Sequence, residues 1–407
     1  MGLNMTSFDA ALKQHYTADA VENMVYQDNP ALALMAKMED FGGRNLPIPT
    51  IWGNPQGRSA DFATAQSKGA TSSSKVSAFT LTRVKDYAVA TIDNETLEAS
   101  KGDANAFMEA ATVEIDGAIN NLTRSLAVKQ YRAGWGDIGI IATAGISGTV
   151  ITLATTDDIT NFEVDQQLVF SSSQNAAVLR NSGAVATVSN VDRTLGTITV
   201  DTVPGAVAAG DYIFCKGDRQ DSATPSRICM TGFEAWVPSS APSSTAFFGV
   251  DRSQDTTRLG GQRLSGVGVP IEEVLIEGAA ITGREKGKLD HYFMNFAKYS
   301  ALEKSLGSKI QYVDLAANAE IMFRGIMING PKGPIKVVPD QNCPSARIWG
   351  LQLNMWKLYS LGKAVRVIDT DGLQMLRQGT ADGVEVRYGF YGNPGTRAPG
   401  FNINIQV

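Results

Sequence analysis

The sequence contains little cysteine, little histidine and no long apolar run. Its three cysteines, Cys215, Cys229 and Cys343, fit neither a CxxC metal pair nor the disulfide framework of a secreted protein. Its two histidines, His15 and His291, are far apart, which excludes an HExxH zinc site and leaves a single candidate base for a catalytic triad. No stretch reaches ~18 consecutive apolar residues, and the N-terminus lacks a basic region followed by an apolar run. We therefore expect no membrane partner, signal peptide, metal or cofactor.

Neither sign of charge dominates the chain. It carries 36 Lys and Arg residues against 41 Asp and Glu residues, for a formal net charge of -5. No global basic field is available to hold a polyanion, so specific nucleic-acid binding is disfavoured. The hydrophobic fraction of 43% is ordinary for a globular protein, and the 407 residues predict two or three domains at ~100 to 200 residues each.

No stretch of the sequence forms a convincing catalytic or phosphate-binding motif. Residues 325–332 resemble a phosphate loop, but the GK[ST] ending is missing and Pro331 has no N–H to offer, so a turn is favoured. Gly260 and Gly261, flanked by Arg258 and Arg263, could contact phosphate, although an exposed loop is the favoured interpretation. We therefore expect no catalytic site, and a protein that is not an enzyme.

The first third of the chain predicts an extended arm, a long loop and a long helix. Residues 1–40 contain only short apolar groupings, which are too short to form a core. The composition of 41–85 shifts to Gly, Pro, Ser, Thr and Ala, and 80–92 alternates like a strand, which together indicate a two-stranded ribbon with a loose tip. Residues 103–133 carry one apolar stripe at helical spacing and predict a helix longer than ~40 Å.

The rest of the chain predicts a small β module followed by an α+β domain. Between 135 and 216, short alternating runs rich in Val, Ile and Thr predict strands at 149–153, 167–170, 184–188, 197–200 and 212–214, with a hairpin loop at 192–196. Pro270 begins a helix whose first turn holds Glu272 and Glu273, where carboxylates suit the helix dipole. Beyond it, strand and helix patterns alternate.

Several stretches, taken in order, carry a resemblance to a known family; they are residues 29–35, 46–49, 57–60, 248–253, 270–273, 293–295, 302–307, 337–340 and 356–362. In order and local sequence, the chain resembles the major capsid proteins of tailed bacteriophages, which have the Hong Kong 97 type fold. The resemblance covers nearly the whole chain apart from the β module, which looks like an insertion domain that some members carry.

The resemblance implies an α+β fold divided into an N-terminal arm (1–40), an extended loop (41–85), a peripheral domain with a spine helix (86–134, continued by 221–265), an inserted all-β domain (135–220), an axial domain (266–379) and a C-terminal peripheral strand and tail (380–407). It implies self-assembly into hexamers and pentamers of an icosahedral head around double-stranded DNA, which is contacted only non-specifically. Scaffolding, portal and possible decoration proteins would be the other partners. The protein would be assembled in the bacterial cytoplasm and located in the virion. Because the chain starts almost at the arm, we expect a separate scaffold or prior cleavage.

The extended loop supplies the candidate contacts between subunits. We expect Trp52 and Phe62 to be apolar anchors on a flexible ribbon that gains most of its order when it docks on a neighbour. Arg58, Lys68 and Lys75 either pair with acidic groups of that neighbour or are solvated charges that keep the free loop soluble. Some family members crosslink a loop lysine to an asparagine, but no asparagine or acid is identifiable here, and we do not expect crosslinking.

Two other functions compete with a capsid role. The β insertion could be a carbohydrate-binding or adhesion module, with the remaining chain as its scaffold. Alternatively, the chain could be a hydrolase that uses His291, although a histidine at the start of a strand is more typical of a structural position. Both alternatives leave the long ribbon unexplained.

Overall fold

The computed structural model describes residues 29–93, 95, 104–306, 312–318, 321–369, 375–378 and 382–407. The first 28 residues of the predicted arm therefore lie outside the described residues. The described helices are Pro30–Leu34, Phe62–Thr71, Ala104–Lys129, Phe233–Trp236, Ile271–Arg284 and Phe296–Leu306. The described strands, in chain order, are β1 (Ala36–Met38), β2 (Asn45–Gly53), β3 (Lys75–Thr82), β4 (Val84–Asp93), β5 (Asp137–Ser147), β6 (Val150–Leu153), β7 (Gln167–Ser171), β8 (Ala186–Asp192), β9 (Thr197–Val200), β10 (Tyr212–Cys215), β11 (Gln262–Ser265), β12 (His291–Met294), β13 (Tyr312–Asn318), β14 (Ile321–Gly330), β15 (Gly333–Pro339), β16 (Arg347–Leu351), β17 (Trp356–Ser360), β18 (Arg366–Val367), β19 (Met375–Arg377), β20 (Gly383–Thr396) and β21 (Ile403–Gln406).

The spine helix, Ala104–Lys129, packs on a six-stranded sheet that contains β1, β4, β17, β18, β19 and β20. Its predicted apolar stripe is confirmed, because Ile115, Ile119, Leu122 and Leu126 are all buried in the largest core. The helix ends at Lys129, slightly before the predicted end, and Gly134 follows with φ of +86°. The helix is therefore about 39 Å long at ~1.5 Å per residue.

The β module predicted at 135–216 is a closed barrel in the order β10, β5, β6, β9, β8, β7. The predicted hairpin loop at 192–196 is confirmed, because β8 and β9 pair with Asp192 opposite Thr197. Strand β5 was not predicted. It contains Gly139, against which the Phe162 ring packs so closely that an added Cβ would lie 3.1 Å from it. Small residues that make room for a distant ring do not form a strand pattern in the sequence.

A seven-stranded sheet in the order β11, β21, β16, β12, β15, β14, β13 carries the helices Ile271–Arg284 and Phe296–Leu306. The two large sheets do not follow the predicted domain boundaries. Strand β17, within 266–379, pairs with β20 of the six-stranded sheet, whereas β21, within 380–407, lies between β11 and β16. Residues 380–407 are therefore not only a peripheral strand and tail, because pairing between distant segments places β21 in the other sheet.

Candidate functional site

Among the described residues, strands β2 and β3 pair only with each other, as a two-stranded hairpin separate from both large sheets and from the barrel. They pair from Asn45 opposite Thr82 to Gly53 opposite Lys75, so the predicted two-stranded ribbon is present. The predicted position of its second strand, 80–92, is wrong, because most of those residues belong to β4, which pairs with β20 in the six-stranded sheet. The predicted loose tip is wrong, because residues Phe62–Thr71 form a helix. This helix is capped by the Asp61 carboxylate, which accepts the N–H of Thr64 at 2.8 Å, and its hydrogen bonds to Thr64 lower the pKa of Asp61.

The root of the hairpin is anchored in the main core. The side chains of Ile48, Phe79 and Leu81 are at most 2% exposed and pack in that core. Two hydrogen bonds fix the backbone there: Thr50 Oγ1 donates to the Arg397 carbonyl at 2.9 Å, and Thr80 N donates to the Phe248 carbonyl at 2.8 Å. Burial and hydrogen bonding thus fix the direction in which the hairpin leaves the body of the protein.

The outward face of the hairpin is exposed and mostly apolar. Alternation along the two strands places eight side chains on this face: Asn45, Pro47, Pro49, Ile51, Val76, Ala78, Thr80 and Thr82. Five of them are apolar: Pro47, Pro49, Ile51, Val76 and Ala78. Ile51 and Val76 are direct cross-strand partners and remain 71% and 58% exposed. We call these five side chains, together with Phe62, the hairpin face. Phe62, at the start of the tip helix, is 80% exposed.

Two prolines protect the outer edge of β2. The Thr80 N–H bonds to Phe248 and not to β2, so Thr80 and its cross-strand partner Pro47 both direct their backbone groups away from the hairpin. Pro49 points the same way, two residues along. Because proline has no N–H, this edge lacks donors at both positions, which disfavours strand addition there. Contacts at the hairpin would therefore use its apolar face.

The predicted contact residues lie in different environments. Trp52 is half-buried against the main core, and its indole N–H donates to Ser77 Oγ at 3.0 Å. Its carbonyl accepts a hydrogen bond from Arg258 Nη1 at 2.9 Å, so part of Trp52 is used within the chain.

The other four predicted residues are exposed: Phe62, Arg58, Lys68 and Lys75. The side chains of the three basic residues form no ion pair with the described residues, and their pairing with a neighbour stays a prediction. Ile51 and Val76 were not among the predicted contact residues, although both alternate with buried positions of the ribbon. That alternation is the signal that could have identified them.

The next residues to consider are those that a hydrolase or a metal site would use, namely His291 and the cysteines. His291 Nδ1 lies 2.9 Å from Asp290 Oδ1, but no hydroxyl or thiol of the described chain contacts this ring. Burial raises the pKa of the Cys215 thiol to about 11, so the thiol is protonated at neutral pH. Within the described ranges, no group of three or more His, Cys, Asp or Glu side chains could hold a metal ion. No helix of the described part is long and apolar enough to cross a membrane.

The interior of the barrel is filled by its own side chains. Phe162, Leu168 and Ile198 are fully buried there, in a core that also contains Phe170 and is mostly aliphatic. A carbohydrate-binding function would therefore have to use the outer surface of the barrel. The large apolar side chains exposed on that surface, among the described residues, are Val164, Val178 and Leu195, none of which is aromatic.

Comparison with known proteins finds similarity in structure but not in sequence. No protein-family model matches the chain, and no curated protein matches it. Among solved structures, it is similar to the Cyanophage A-1(L) capsid asymmetric unit, with 10% identity over 96% of this chain and 94% of that chain and a TM-score of 0.47. It is also similar to the capsid of an empty GTA particle, with 9% identity over 93% and 96% and a TM-score of 0.42. A third is the holo-SrpI encapsulin complex from Synechococcus elongatus PCC 7942, with 8% identity over 100% and 96% and a TM-score of 0.45. Phage capsid structures are thus among its structural neighbours.

Proposed function

We propose that this chain is the major capsid protein of a tailed bacteriophage, a subunit that builds a closed shell from many copies of itself. The observation that carries the proposal is the hairpin, whose root is buried in the main core and whose face is exposed. An apolar face on an anchored projection is typical of an element that completes its packing on another molecule. Shell assembly provides such a molecule in every neighbouring subunit.

Burial of the hairpin face on a neighbouring subunit would contribute favourable free energy to assembly. Full burial of one large apolar side chain contributes roughly 1.5–3 kcal/mol, and the hairpin face offers Phe62, Ile51 and Val76. Each contact is weak, but a ring of subunits repeats it at every interface. In a closed ring the free energies of all these interfaces add together, so the ring needs no single strong contact.

The finer proposal concerns the arrangement of subunits. The hairpin of one subunit would lie across the next in hexamers and pentamers of a Hong Kong 97 type icosahedral head that encloses double-stranded DNA. Arg58, Lys68 and Lys75 would meet acidic groups of the neighbour, and Trp52 would contribute the part of its ring that stays exposed. Scaffolding, portal and decoration proteins would act as partners during assembly in the bacterial cytoplasm.

The test compares assembly of the wild-type chain with that of an Ile51→Ser/Val76→Ser variant. Light scattering gives the mass, and negative-stain electron microscopy shows rings or shells. We expect wild-type assemblies and a folded variant that remains a monomer or forms far fewer particles, because its hairpin face is polar. The matched control is Leu195→Ser, which alters a side chain that is 67% exposed at a barrel turn.

Unchanged assembly of the Ile51→Ser/Val76→Ser variant would refute the role of the hairpin face. A wild-type chain that stays monomeric at every salt and crowder concentration, and also with a phage scaffold, would refute shell formation. Glycan binding by the same monomer would then favour the adhesion alternative.

A further inference from the structure

The barrel meets the body of the protein at a cluster of buried charges. Lys129, the last residue of the spine helix, lies with its Nζ 2.9 Å from Asp86 Oδ2 and 3.0 Å from Asp218 Oδ2. Asp86 belongs to β4, and Asp218 follows β10 of the barrel. One cation therefore connects the spine helix, the six-stranded sheet and the barrel.

Arg132, three residues after Lys129, repeats this arrangement of one cation with two carboxylates. Its Nη2 lies 2.8 Å from Asp158 Oδ1, and its Nη1 lies 3.5 Å from Asp137 Oδ2. Both aspartates belong to the barrel module, Asp137 as the first residue of β5. Asp137 is 1% exposed, and its carboxylate accepts no hydrogen bond from the described residues.

The two groups of charges are contiguous. A Cβ on Gly136, which precedes Asp137, would lie 2.4 Å from the Asp218 carbonyl oxygen. We call these six side chains the charged joint: Lys129, Arg132, Asp86, Asp137, Asp158 and Asp218.

The charged joint holds more negative than positive charge. When all six groups are ionised, two positive charges face four negative charges, an excess of two. None of the four carboxylate side chains is more than 24% exposed. Burial of a charge without a partner is unfavourable, so the joint is under electrostatic repulsion at neutral pH.

Other charged groups near the joint do not pair with its carboxylates. Arg124 pairs with Glu163, Lys216 donates to the Gln167 side-chain oxygen, and Arg227 donates to the Ala133 carbonyl. Four more charged groups act on the joint or its neighbours through their charge alone: Asp157, Arg219, Glu234 and Arg347. Three titratable groups complete the surroundings, and burial raises the pKa of each, so they are neutral at pH 7: Tyr212, Cys215 and Cys229.

Two of the carboxylates are suited to take up a proton. Burial raises the pKa of Asp158, an effect that the charge of Arg132 opposes. Burial also raises the pKa of Asp218, where Lys129 opposes the rise and Asp86 adds to it. Unlike Asp137, both side chains are partly exposed, so a proton can reach them.

The direction of these shifts decides how the joint responds to acid. A carboxyl group with a raised pKa in the docked arrangement destabilises that arrangement while it is ionised, and the penalty disappears as the pH falls. Carboxylates of ordinary ion pairs have lowered pKa values, and acid weakens those pairs. Mild acid should therefore strengthen this joint.

We propose that the charged joint is a pH-sensitive switch, which holds the barrel loosely at neutral pH and fastens it to the body when Asp158 or Asp218 takes up a proton. The barrel would move about the two segments that connect it to the body, 133–136 and 216–230. Gly134 and Gly136, in the first segment, have φ of +86° and +87°, a backbone conformation that glycine adopts freely. The switch belongs to the single chain. Only its effect on an assembled shell, where pH would set how firmly each barrel is held, rests on the proposed function.

The experiment measures amide hydrogen exchange of the unassembled full chain by mass spectrometry between pH 5 and pH 7.5. Protection factors, which correct for the intrinsic pH dependence of exchange, report how often segments 133–136 and 216–230 open. Uptake of one proton changes the opening equilibrium by up to about tenfold per pH unit, so we expect protection there to rise at least ~5-fold from pH 7.5 to pH 5. Strand β15, in the seven-stranded sheet, is the internal reference whose protection should not change.

The deciding variant is Asp158→Asn/Asp218→Asn, which leaves one carboxylate for each cation and keeps the side-chain shapes. We expect high protection of both segments at pH 7.5 and at pH 5, with the pH response lost. The single variant Asp158→Asn should keep a reduced response. The matched control is Asp165→Asn, which changes an exposed barrel carboxylate that forms no ion pair with the described residues and should leave the response unchanged. Circular dichroism establishes that each variant folds.

Four outcomes overturn the proposal. They are protection that falls on acidification, as in ordinary ion pairs; protection that does not depend on pH; a full response that persists in the double variant; and protection at pH 7.5 that Mg²⁺ raises as much as acid does. The last result would mean that the excess charge holds a cation and not a proton. Failure of assembly alone leaves the exchange result intact and counts only against the proposed function.

Discussion

Replacement of Lys129 by methionine should strongly destabilise the joint between the spine helix, the six-stranded sheet and the barrel. Lys129 Nζ lies 2.9 Å from Asp86 Oδ2 and 3.0 Å from Asp218 Oδ2, and the side chain is 6% exposed. Coulomb's law gives roughly 5 kcal/mol per pair at ~3 Å and an effective dielectric constant of ~20. Much of this gain offsets the desolvation of the three groups. Without the Lys129 ammonium group, the Asp86 and Asp218 carboxylates face each other unpaired, which should lower the free energy of unfolding by about 3–5 kcal/mol.

The assay is urea denaturation followed by tryptophan fluorescence at pH 7, with Lys216→Met as control. The Lys216 side chain is exposed and, among the described residues, donates only to the Gln167 side-chain oxygen, so its loss should change the free energy of unfolding by less than about 0.5 kcal/mol. Burial raises the pKa of Asp218, and the Lys129 charge opposes that rise. Without Lys129 the pKa rises further. A carboxyl group with a raised pKa in the folded state destabilises that state when it is ionised, and the penalty disappears as the group binds a proton. The difference in free energy of unfolding between the wild type and Lys129→Met should therefore shrink as the pH falls from 7 towards 5. A deficit that equals the control, or that grows on acidification, would refute the reasoning.

Three further substitutions probe the packing, each by its thermal midpoint. Gly232→Ala should lower it by several degrees, because the new Cβ would lie 2.1 Å from the Gln130 carbonyl oxygen; an unchanged midpoint would contradict this geometry. Gly117→Ala, on an exposed turn of the spine helix with no atom within 4 Å of the new Cβ, should stabilise by about 0.5–1 kcal/mol, and a lower midpoint would argue against it. Trp356→Ala should lower the free energy of unfolding by about 3–5 kcal/mol, because the indole is fully buried and also donates to Asn402 Oδ1 at 2.9 Å. A decrease below ~1 kcal/mol would disprove its role in the core.

The parts of the fold that the sequence predicted are those with a local periodic pattern. The spine helix was predictable because four apolar residues recur at helical spacing and all face one core. A ribbon was predictable from the composition of 41–85, but its second strand was predicted at 80–92, because the alternation is clearer in β4 than in β3. The helix Phe62–Thr71 was missed because none of its side chains is buried, so it has no apolar stripe. Its capping residue Asp61 was the available signal.

The remaining features depend on contacts between distant segments. The positions of β17 and β21 in the two sheets follow from pairing with β20 and β16, which no local pattern encodes. Gly260 and Gly261 illustrate the same limit: the favoured exposed loop is wrong, because both residues are buried and a Cβ at Gly261 would meet Val237 at 2.4 Å.

The helical tip also changes how the hairpin would dock. The ribbon was expected to gain most of its order on a neighbour, but its tip already holds a defined shape. Gln56 N donates to Ser72 Oγ at 2.9 Å, and a Cβ on Gly57 would lie 3.1 Å from the Gly69 Cα. These backbone contacts order the tip without burying Phe62, Ile51 or Val76. Because little conformational entropy remains to be lost, more of the apolar gain is available for association. Adaptation to different neighbours would then come from movement of a preformed hairpin about its buried root, and not from folding on contact.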